Sequence, residues 1–527
     1  MREIPKSRRF GRGPTSATGV ESLGQLQKEI ETFLNSLCRP VLVEDELKLL
    51  DLTPGQWSVT LEPRGLVLQA WNTGRSIFRR IEQITYRYRG RLGVIVRKPG
   101  GREPATLEFR EFNAPTEPSA ERAVRRAHFR RQSLAILQDR FKGWRFERVS
   151  NRSDREHSFS AWYTRGLMRQ GRNGWAFLAL NEAEAPAAGD SALAYGLIWL
   201  DWLRGRFERD PVVGLKLFLP ELALPLTCHR AAYLNRRAAQ IEVWRLNQAS
   251  LTAVDLSDFG NVETRLARRP AADEAARRLG QQHESWLRKL LAEAFNHVQL
   301  VPEPAGNGFS IRMNGLELAR VEEQLAPRVY FGTEGRCRLL DDSNQDEFRQ
   351  LVTSVAAVRQ ARTSDPSHEF YHLQSERWLE SLVVRDVTRI DPSLSPDHIY
   401  PQVPAFAAAD RGVIDILGVT RGGCLAVIEL KLQEEINLLM QGLDYWLRVK
   451  WLNDHRQFGE FGYFPGVDIA ESPPLLYIVC PAFRFHSTFG AMVRYLHPCV
   501  KVVQVGLNDG WREAVRVLFR RWLNDGG

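Results

Sequence analysis

The sequence contains little cysteine and lacks the signatures of several enzyme classes. Its 6 cysteines are scattered, with no Cys-x-x-Cys pair and no histidine cluster near them. This distribution excludes a paired-cysteine metal site and is typical of buried free thiols in a reducing compartment, so we expect a cytoplasmic protein. A Gly-x-x-x-x-Gly-Lys-Ser/Thr phosphate loop is absent, so any helicase or ATPase step would be supplied by another chain.

Long apolar runs are missing as well. No segment approaches the roughly eighteen apolar residues that a membrane-spanning helix requires. The first residues are basic without a following apolar segment, so we expect residues 1–20 to form a disordered basic arm and not a secretory signal.

A hydrophobic share of 43% and a charged share of 26% are typical of a soluble globular protein. A chain of this length is expected to form about two to four domains.

The chain has an excess of positive charge, with a formal net charge of +9. Much of it lies in residues 122–172, where arginines alternate with aromatic side chains. Such a surface is typical of phosphate contact and base stacking, although a solvated helix face explains the pattern equally well. The candidate nucleic-acid contacts are Arg125, Arg126, Arg130, Arg165 and Arg169, with Arg448 and Lys450 later in the chain.

Two alternating runs on either side of a Thr-Arg-Gly-Gly segment, residues 420–423, predict a β-hairpin. A three-residue loop with Gly423 in the left-handed conformation sets Asp415 opposite Glu429. Opposed carboxylates destabilise a sheet unless something compensates their charge, and a divalent cation does so. Carboxylate oxygens favour Mg²⁺ or Mn²⁺ over zinc. Lys431 follows Glu429 by two residues, so its side chain leaves the same face of the strand.

This arrangement resembles the PD-(D/E)XK nuclease superfamily, here as Ile414-Asp415 and Glu429-Leu430-Lys431. The segment Gln441-Gly442-Leu443-Asp444-Tyr445 fits the QxxxY element of the RecB-type branch. Glu380, in a helical pattern that begins at Ser375, matches the acidic helix residue of the family in preference to Glu376. Over residues 371–510, the layout looks most like the C-terminal domain of NucS-type endonucleases. The resemblance implies an α/β fold of the restriction-endonuclease type, with a mixed central sheet flanked by helices.

The resemblance also implies an activity, the metal-dependent hydrolysis of phosphodiester bonds. DNA is favoured as substrate and endonuclease action is favoured, in repair or in defence against phage. Lys431 would orient or help deprotonate the attacking water, and Gln441 and Tyr445 would steady Lys431 or the phosphate. The alternatives are a non-catalytic nucleic-acid-binding or interaction protein on a nuclease scaffold, and a nuclease that is inactive until a partner activates it. The implied ligands of Mg²⁺ or Mn²⁺ are Asp415, Glu429, the main-chain carbonyl of Leu430 and Glu380.

An earlier part of the chain repeats this pattern without its charged residues. Residues 164–167 and 175–180 echo residues 410–413 and 425–430, and an amphipathic helix with Tyr and Trp follows each. This ordered series indicates a duplication. The first copy is then a degenerate domain that binds no metal, and it either grips nucleic acid or only packs against the active copy. The alignment by eye places Arg169 on Asp415, Ala179 on Glu429, Asn181 on Lys431, Ser191 on Gln441 and Tyr195 on Tyr445.

The predicted organisation follows from these patterns. A fold of the restriction-endonuclease type is present twice, with smaller α+β accessory segments before each copy. The accessory segments are either a further repeat, residues 22–70 and 283–322, or unrelated elements. The chain is expected to be a monomer with an internal pseudo-dimer, or a homodimer. The predicted parts are a basic arm at 1–20, an α+β accessory domain at 21–115, the degenerate domain at 120–248, a linker at 249–282, an α+β segment at 283–365 and the active nuclease domain at 371–527.

Overall fold

The computed structural model of this chain is mixed α/β, and its described strands form four sheets. The chain divides into two units, Met1–Thr116 with Glu334–Arg336, and Glu117–Thr333 with Cys337–Gly527. None of the described helices combines the length and the apolar character needed to cross a membrane. The structure describes residues 18–35, 37, 40–44, 47–51, 57–62, 65–71, 76–88, 91–97, 104–111, 119–207, 210–247, 250–257, 262–266, 281–302, 308–322, 327–333, 338–407 and 410–524. Most of the predicted basic arm therefore lies outside the described residues.

The first unit packs one helix, Thr18–Asn35, against a seven-stranded antiparallel sheet. Its strands are β1 Pro40–Glu44, β2 Leu47–Asp51, β3 Trp57–Glu62, β4 Gly65–Trp71, β5 Ser76–Tyr88, β6 Arg91–Arg97 and β7 Pro104–Glu111, in the order β2-β1-β7-β6-β5-β4-β3. Ile30 and Phe33 join the core formed by alternate apolar side chains of the strands. The Gln27 amide fixes the helix to β3 by donating to the main-chain oxygen of Val59 at 2.8 Å.

The second unit begins with a six-stranded mixed sheet, which we name the N-terminal module (residues 119–254). Its helices are Ser119–Arg140, Ala192–Arg206 and Leu224–Ala231, and its strands are β8 Arg145–Ser150, β9 Tyr163–Gln170, β10 Asn173–Leu180, β11 Val212–Leu219, β12 Gln240–Leu246 and β13 Leu251–Val254. The order is β13-β12-β11-β10-β9-β8, with β10, β11 and β12 parallel and the other neighbours antiparallel. Strand β13 lies in the predicted linker, so the predicted end of this domain at residue 248 is too early.

A five-stranded antiparallel sheet follows. It comprises β15 Val298–Pro302, β16 Gly308–Met313, β17 Leu316–Glu322, β18 Arg328–Phe331 and β19 Arg338–Leu339, with helices Glu284–Leu291 and Gln345–Val358, and it is preceded by the short strand β14 Thr264–Leu266. The five strands are neighbours in chain order, as β3 to β7 of the first unit are, and the suggested repeat of residues 22–70 and 283–322 stays a prediction. Buried Arg359 donates to the main-chain oxygens of Phe370, Leu373 and Asn314 and lies over the Trp378 ring.

The last sheet of the second unit belongs to what we name the C-terminal module (residues 375–523). Its helices include Ser375–Arg385, Leu438–Asp454 and Phe489–Val493, and its strands are β20 Tyr400–Ala407, β21 Asp410–Val419, β22 Leu425–Leu430, β23 Leu475–Pro481, β24 Lys501–Leu507 and β25 Val517–Leu523. The order is β14-β20-β21-β22-β23-β24-β25. Strand β14 comes from the predicted linker and pairs antiparallel with β20, so the described part of that linker contributes to both flanking sheets.

The two modules have the same strand order and the same strand directions. In each, three antiparallel strands are followed by a helix, two parallel strands and a final antiparallel strand. A glycine brings the helix close to the sheet in both cases. A Cβ on Gly196 would lie 2.9 Å from Leu217, and one on Gly442 would lie 2.7 Å from Ile478. Leu217 and Ile478 are therefore equivalent positions.

The modules contact each other through equivalent elements. The amide of Asn235 donates to the main-chain oxygen of Tyr495 at 2.8 Å, and the amide of His497 donates to that of Tyr233 at 2.8 Å. These reciprocal hydrogen bonds surround an antiparallel bridge between residues 234 and 496. Helix Leu224–Ala231 contacts helix Leu438–Asp454, and helix Phe489–Val493 contacts helix Ala192–Arg206. This reciprocal pairing is the pattern of a two-fold interface.

Candidate active site

The hairpin of β21 and β22 positions the candidate site, and its predicted register is confirmed. Ile416 pairs with Ile428, and the amide of Thr420 donates to the main-chain oxygen of Cys424 at 2.8 Å. Gly423 has a φ of +81°, and a Cβ there would collide with the main-chain oxygen of Asp468. Continuing this register by one residue past Ile416 and Ile428 sets the two predicted carboxylates opposite each other.

Of these two carboxylates, Asp415 is half-buried and Glu429 is fully buried. Asp415 Oδ2 accepts a hydrogen bond from the amide of Leu430 at 3.0 Å. The Glu429 side chain is 1% exposed, and its Oε2 has no hydrogen-bond partner among the described residues. Burial raises the pKa of Asp415, and burial together with the Asp415 charge raises that of Glu429 well above its usual range. A buried carboxylate pair with an unpartnered oxygen is a site that binding of a cation would stabilise.

Lys431 lies on the same face, surrounded by carboxylates. Its Nζ is 4.0 Å from Glu429, 3.7 Å from Glu376 and 4.0 Å from Glu435. Burial works to lower the pKa of Lys431, but these carboxylates and Asp415 outweigh it and raise the pKa. Lys431 is therefore an ammonium group at neutral pH.

Glu376 is a site residue that the sequence analysis passed over. Glu376 Oε2 lies 3.7 Å from Lys431 Nζ, and Glu376 Oε1 accepts a hydrogen bond from the amide of Leu432 at 3.4 Å. Glu376 and Glu380 are one helical turn apart, so the sequence places both on the same face of the helix. The choice between them depends on how that helix packs, which the sequence pattern does not contain.

Glu380 has different partners. It is 7% exposed, ion-pairs with Arg377 at 3.1 Å and accepts a hydrogen bond from the Gln402 amide. Burial raises its pKa to about 8, so it carries a proton at neutral pH. Gln402 has a φ of +55° in β20, at the register position opposite Asp415, which is a strained conformation for this residue type. The structure thus brings Glu380 to the edge of the carboxylate pair, and its predicted role as a metal ligand stays a prediction.

The helix Leu438–Asp454 covers the site with the predicted glutamine and tyrosine. Gln441 Nε2 donates to the Tyr445 hydroxyl at 3.4 Å, so the two side chains share a helix face. Burial raises the pKa of Tyr445, and the nearby charges of Glu429 and Asp415 raise it further. The hydroxyl is therefore protonated and faces the carboxylate pair as a potential hydrogen-bond donor.

Three of the predicted nucleic-acid contacts lie in the interior. Arg165 is 6% exposed and donates to the main-chain oxygen of Arg152 at 2.7 Å. Arg169 is 5% exposed and ion-pairs with Glu147 at 3.4 Å, while Arg448 is 5% exposed and donates to the main-chain oxygen of Ala405. The prediction required exposed guanidinium groups, and for these three arginines it is wrong.

The remaining basic candidates have carboxylate or amide partners at or near the surface. Arg125 and Arg126 both bind Glu184, at 3.1 and 2.9 Å. Arg130 Nη1 donates to Asn151 at 3.5 Å, and Lys450 ion-pairs with Asp454 at 2.5 Å. Their contact with nucleic acid stays a prediction.

The N-terminal module carries different side chains at the positions of the carboxylate pair. Leu178 on β10 pairs with Leu217, as Glu429 on β22 pairs with Ile478, so Leu178 stands where Glu429 does. The hairpin partner of Leu178 is Arg165, which therefore stands where Asp415 does. Leu180 follows in the place of Lys431. The matched positions offer one cation and two apolar side chains, and no carboxylate.

These pairings correct the alignment made by eye. Ala179, placed there on Glu429, joins the apolar cluster of Phe177, whereas the adjacent Leu178 joins the cluster of the covering helix. Arg165, and not Arg169, holds the position of the first carboxylate, between the rings of Phe159 and Trp199 at 4.5 and 5.5 Å. Gly196 and Gly442 make equivalent contacts with the sheet. Aligning them shifts the match between the two helices by one turn relative to the alignment made by eye. The revised partners of Gln441 and Tyr445 are Tyr195 and Trp199.

The sequence also contains a His-Glu-x-x-His pattern, residues 368–372, which the sequence analysis missed. Zinc peptidases carry this pattern on one helix, where both histidines bind the metal. Here the helix Glu369–His372 is a single turn, and the Nδ1 of His368 accepts a hydrogen bond from the amide of Phe370. Among the described residues, no cluster of three potential metal ligands includes these histidines. The pattern therefore lacks the geometry of a zinc site.

One such cluster of three potential ligands lies in the described residues, at the surface of the N-terminal module: Asp154, Glu156 and His157. Asp154 Oδ2 and His157 Nδ1 are 2.8 Å apart, and Asp154 Oδ1 accepts from the amide of Glu156, so a local turn accounts for the grouping.

Comparisons with known proteins do not identify either module. No protein-family model matches the chain, and no curated protein sequence matches it.

Proposed function

We propose that the C-terminal module is a metal-dependent nuclease that hydrolyses phosphodiester bonds of nucleic acid, with Mg²⁺ or Mn²⁺ as cofactor. DNA is the favoured substrate and endonuclease action the favoured mode. The observation that carries the proposal is the buried pair of Asp415 and Glu429, with the unpartnered Glu429 Oε2, directly beside Lys431. Opposed carboxylates with a neighbouring ammonium group match the needs of phosphodiester cleavage, where a metal and a cation offset negative charge.

The topology around the pair supports the same proposal. A helix precedes three antiparallel strands, a second helix crosses over, and a parallel strand follows on the far side of β22. This topology supports the restriction-endonuclease type of fold that the resemblance implies. The carboxylate pair lies at the carboxyl end of β22, where the chain leaves the sheet toward the crossover helix. Ligands commonly bind at the carboxyl ends of parallel strands.

Asp415 and Glu429 would hold the cation, with the main chain at Leu430 and the Glu380 carboxyl beside them. When bound, a divalent cation polarises the phosphate and lowers the pKa of a coordinated water. Lys431 carries a raised pKa, so its role is to orient the water and offset phosphoryl charge, and not to accept a proton. The protonated hydroxyl of Tyr445 can donate a hydrogen bond to the phosphate or to the carboxylate pair.

The N-terminal module is, in this proposal, a duplicated and inactive copy. The identical strand order, the equivalent glycine contacts and the reciprocal pairing of the modules support duplication and an internal pseudo-dimer. Arg165 supplies a fixed positive charge at the position of Asp415, and burial between aromatic rings lowers its pKa only to about 10. It therefore stays charged and substitutes for the cation that this module cannot bind.

The test uses the full chain with labelled single-stranded, double-stranded and branched DNA, and with RNA, in Mn²⁺, Mg²⁺ or EDTA. Metal-dependent cleavage that is lost in Asp415→Asn and Lys431→Met is the expected result. Glu435→Gln is the matched control, because it removes a carboxylate near Lys431 that lies outside the proposed ligand set. Cleavage that persists in the Asp415 variant would overturn the site assignment, and binding without cleavage in every metal favours the non-catalytic alternative.

A further inference from the structure

The N-terminal module contains a basic cavity away from the buried Arg165. Its volume is about 450 Å³, which lies within the usual range of about 300 to 1,000 Å³ for small-ligand sites. Three of its lining residues are arginines and none is acidic. The cavity lies between helix Ser119–Arg140 and the segment that joins β8 to β9. Its lining residues are Arg122, Ala123, Arg126, Asn151, Arg152, Ala161 and Trp162.

A buried carboxylate lies behind this cavity. Glu184 is bound by two guanidinium groups, those of Arg126 at 2.9 Å and Arg125 at 3.1 Å. Arg152 lines the cavity from the segment opposite these arginines. The side chain of Arg152 is exposed, and its main-chain oxygen is what binds Arg165. Its guanidinium group can therefore meet a ligand without disturbing that contact.

The same segment also contacts the C-terminal module. Ser158 Oγ, in the connection from β8 to β9, is 3.0 Å from His486 Nε2 of the C-terminal module. His486 Nε2 is in turn 3.8 Å from Glu434. One segment of chain thus forms a wall of the basic cavity and contacts the module that carries the carboxylate pair.

We propose that this cavity binds one nucleotide of a single-stranded segment of nucleic acid, with Arg122 and Arg152 on the phosphate and Trp162 against the base. The inference rests on the proposed function for the identity of the ligand. Guanidinium groups match phosphate oxygens, and an aromatic side chain in a cavity stacks only on a base that has left the duplex. The cavity anchors the strand whose scissile phosphate lies in the C-terminal module.

The experiment measures binding without cleavage, by fluorescence anisotropy of a labelled 20-nucleotide oligo(dT) with the full chain in EDTA. Arg152→Ala is expected to weaken binding several-fold and to lower the slope of log affinity against log salt by about 0.7, the value for one lost contact with a single strand. Trp162→Leu is expected to weaken binding about ten-fold, and Trp162→Phe to restore most of it. The matched control is Arg155→Ala, which removes an exposed arginine of the same segment that does not line the cavity.

The outcomes separate this proposal from the proposed function. Loss in Arg152→Ala with an unchanged Arg155→Ala supports the cavity, while equal loss in both variants, or none in either, overturns it. If duplex DNA of the same length binds as tightly and with the same dependence on Arg152, the single-strand assignment is wrong. Cavity-dependent binding with no cleavage in any metal would reject the nuclease and retain the binding site.

Discussion

Binding of Mn²⁺ at the opposed carboxylates is expected to release a proton at pH values above the ordinary pKa of a glutamate. Glu429 is buried, faces Asp415 and has a pKa well above its ordinary value of 4.5. In the metal-free protein it is therefore protonated over a pH interval in which an exposed glutamate is ionised. A bound cation requires the ionised form, so the proton leaves when the metal arrives.

The structure sets the size of this effect. Glu429 gives about one proton released per metal ion bound, at a pH between its ordinary and its raised pKa, and release from Asp415 or Glu380, whose pKa values are also raised, adds to it. Across that interval, the apparent affinity for Mn²⁺ rises about ten-fold per pH unit, which corresponds to about 1.4 kcal/mol. Above the raised pKa, both the proton release and the pH dependence disappear. The width of the pH interval in which proton release is observed measures how far burial and the Asp415 charge raise the pKa of Glu429.

The assay is isothermal titration calorimetry of the full chain with Mn²⁺, at each pH in two buffers of different ionisation enthalpy. The difference between the two apparent enthalpies gives the number of protons released. Glu429→Gln is expected to weaken binding and to reduce the release by about one proton, whereas Glu435→Gln is expected to retain both. Mn²⁺ binding with the same enthalpy in both buffers at every pH above 4.5 would refute the reasoning, because it would show that the pair is already ionised.

Three further predictions concern the catalytic lysine, the pH dependence of stability and the contact between the modules. Lys431→Met is expected to reduce the cleavage rate by about 10²- to 10³-fold in a gel assay, whereas Lys289→Met, at an exposed lysine outside both modules, is not. The raised pKa of Glu380 makes the folded state lose stability as the pH rises from 4.5 to about 8, by at most about 5 kcal/mol. Urea unfolding should show this slope in the metal-free chain and a shallower one in Glu380→Gln, which retains the raised carboxyl groups of Asp415 and Glu429, and equal slopes would contradict the prediction. Arg230 binds Asp444 at 2.6 Å, so Arg230→Ala is expected to cost about 3 to 5 kcal/mol, and adding Asp444→Ala should cost little more.

The sequence was sufficient for the parts of the site that depend on local geometry. The loop length and Gly423 determine the hairpin register, and the two-residue period of a strand puts Glu429 and Lys431 on one face. The four-residue spacing of Gln441 and Tyr445 gives their shared helix face. Each of these inferences needs only a few neighbouring residues.

Side chains whose place depends on packing between distant segments could not be predicted. The sequence favoured Glu380 over Glu376, one turn away on the same helix face, but the packing of the helix on the sheet brings Glu376 to Lys431. Gln402 reaches Glu380 from a left-handed backbone conformation that its residue type does not signal. The basic residues failed for a related reason, because charge in the sequence does not reveal burial, as Arg165 and Arg169 show.

The match by eye between the two modules was wrong by one residue in β10, by four residues in β9 and by one turn in the helix, and the error in β10 has a simple cause. Matching short runs of similar letters put Ala179 on Glu429, although a shift of one residue in a strand moves the side chain to the other face. The paired strands remove this ambiguity, because Leu178 and Glu429 have equivalent partners in the neighbouring strand. A repeat aligned by the face of the sheet is therefore more reliable than one aligned by similarity alone.

The reciprocal pairing of the two modules has a consequence for the products. A symmetric homodimer presents two equal centres to the two strands of a duplex and can break both in one encounter. In this chain the modules are covalently joined, and the position of Asp415 is occupied by Arg165 in one of them. Under the proposed function, each encounter cuts one strand of the duplex. The protein then distinguishes the two strands by their 5′-to-3′ direction. Nicked molecules should then accumulate before linear ones when a supercoiled circle is digested.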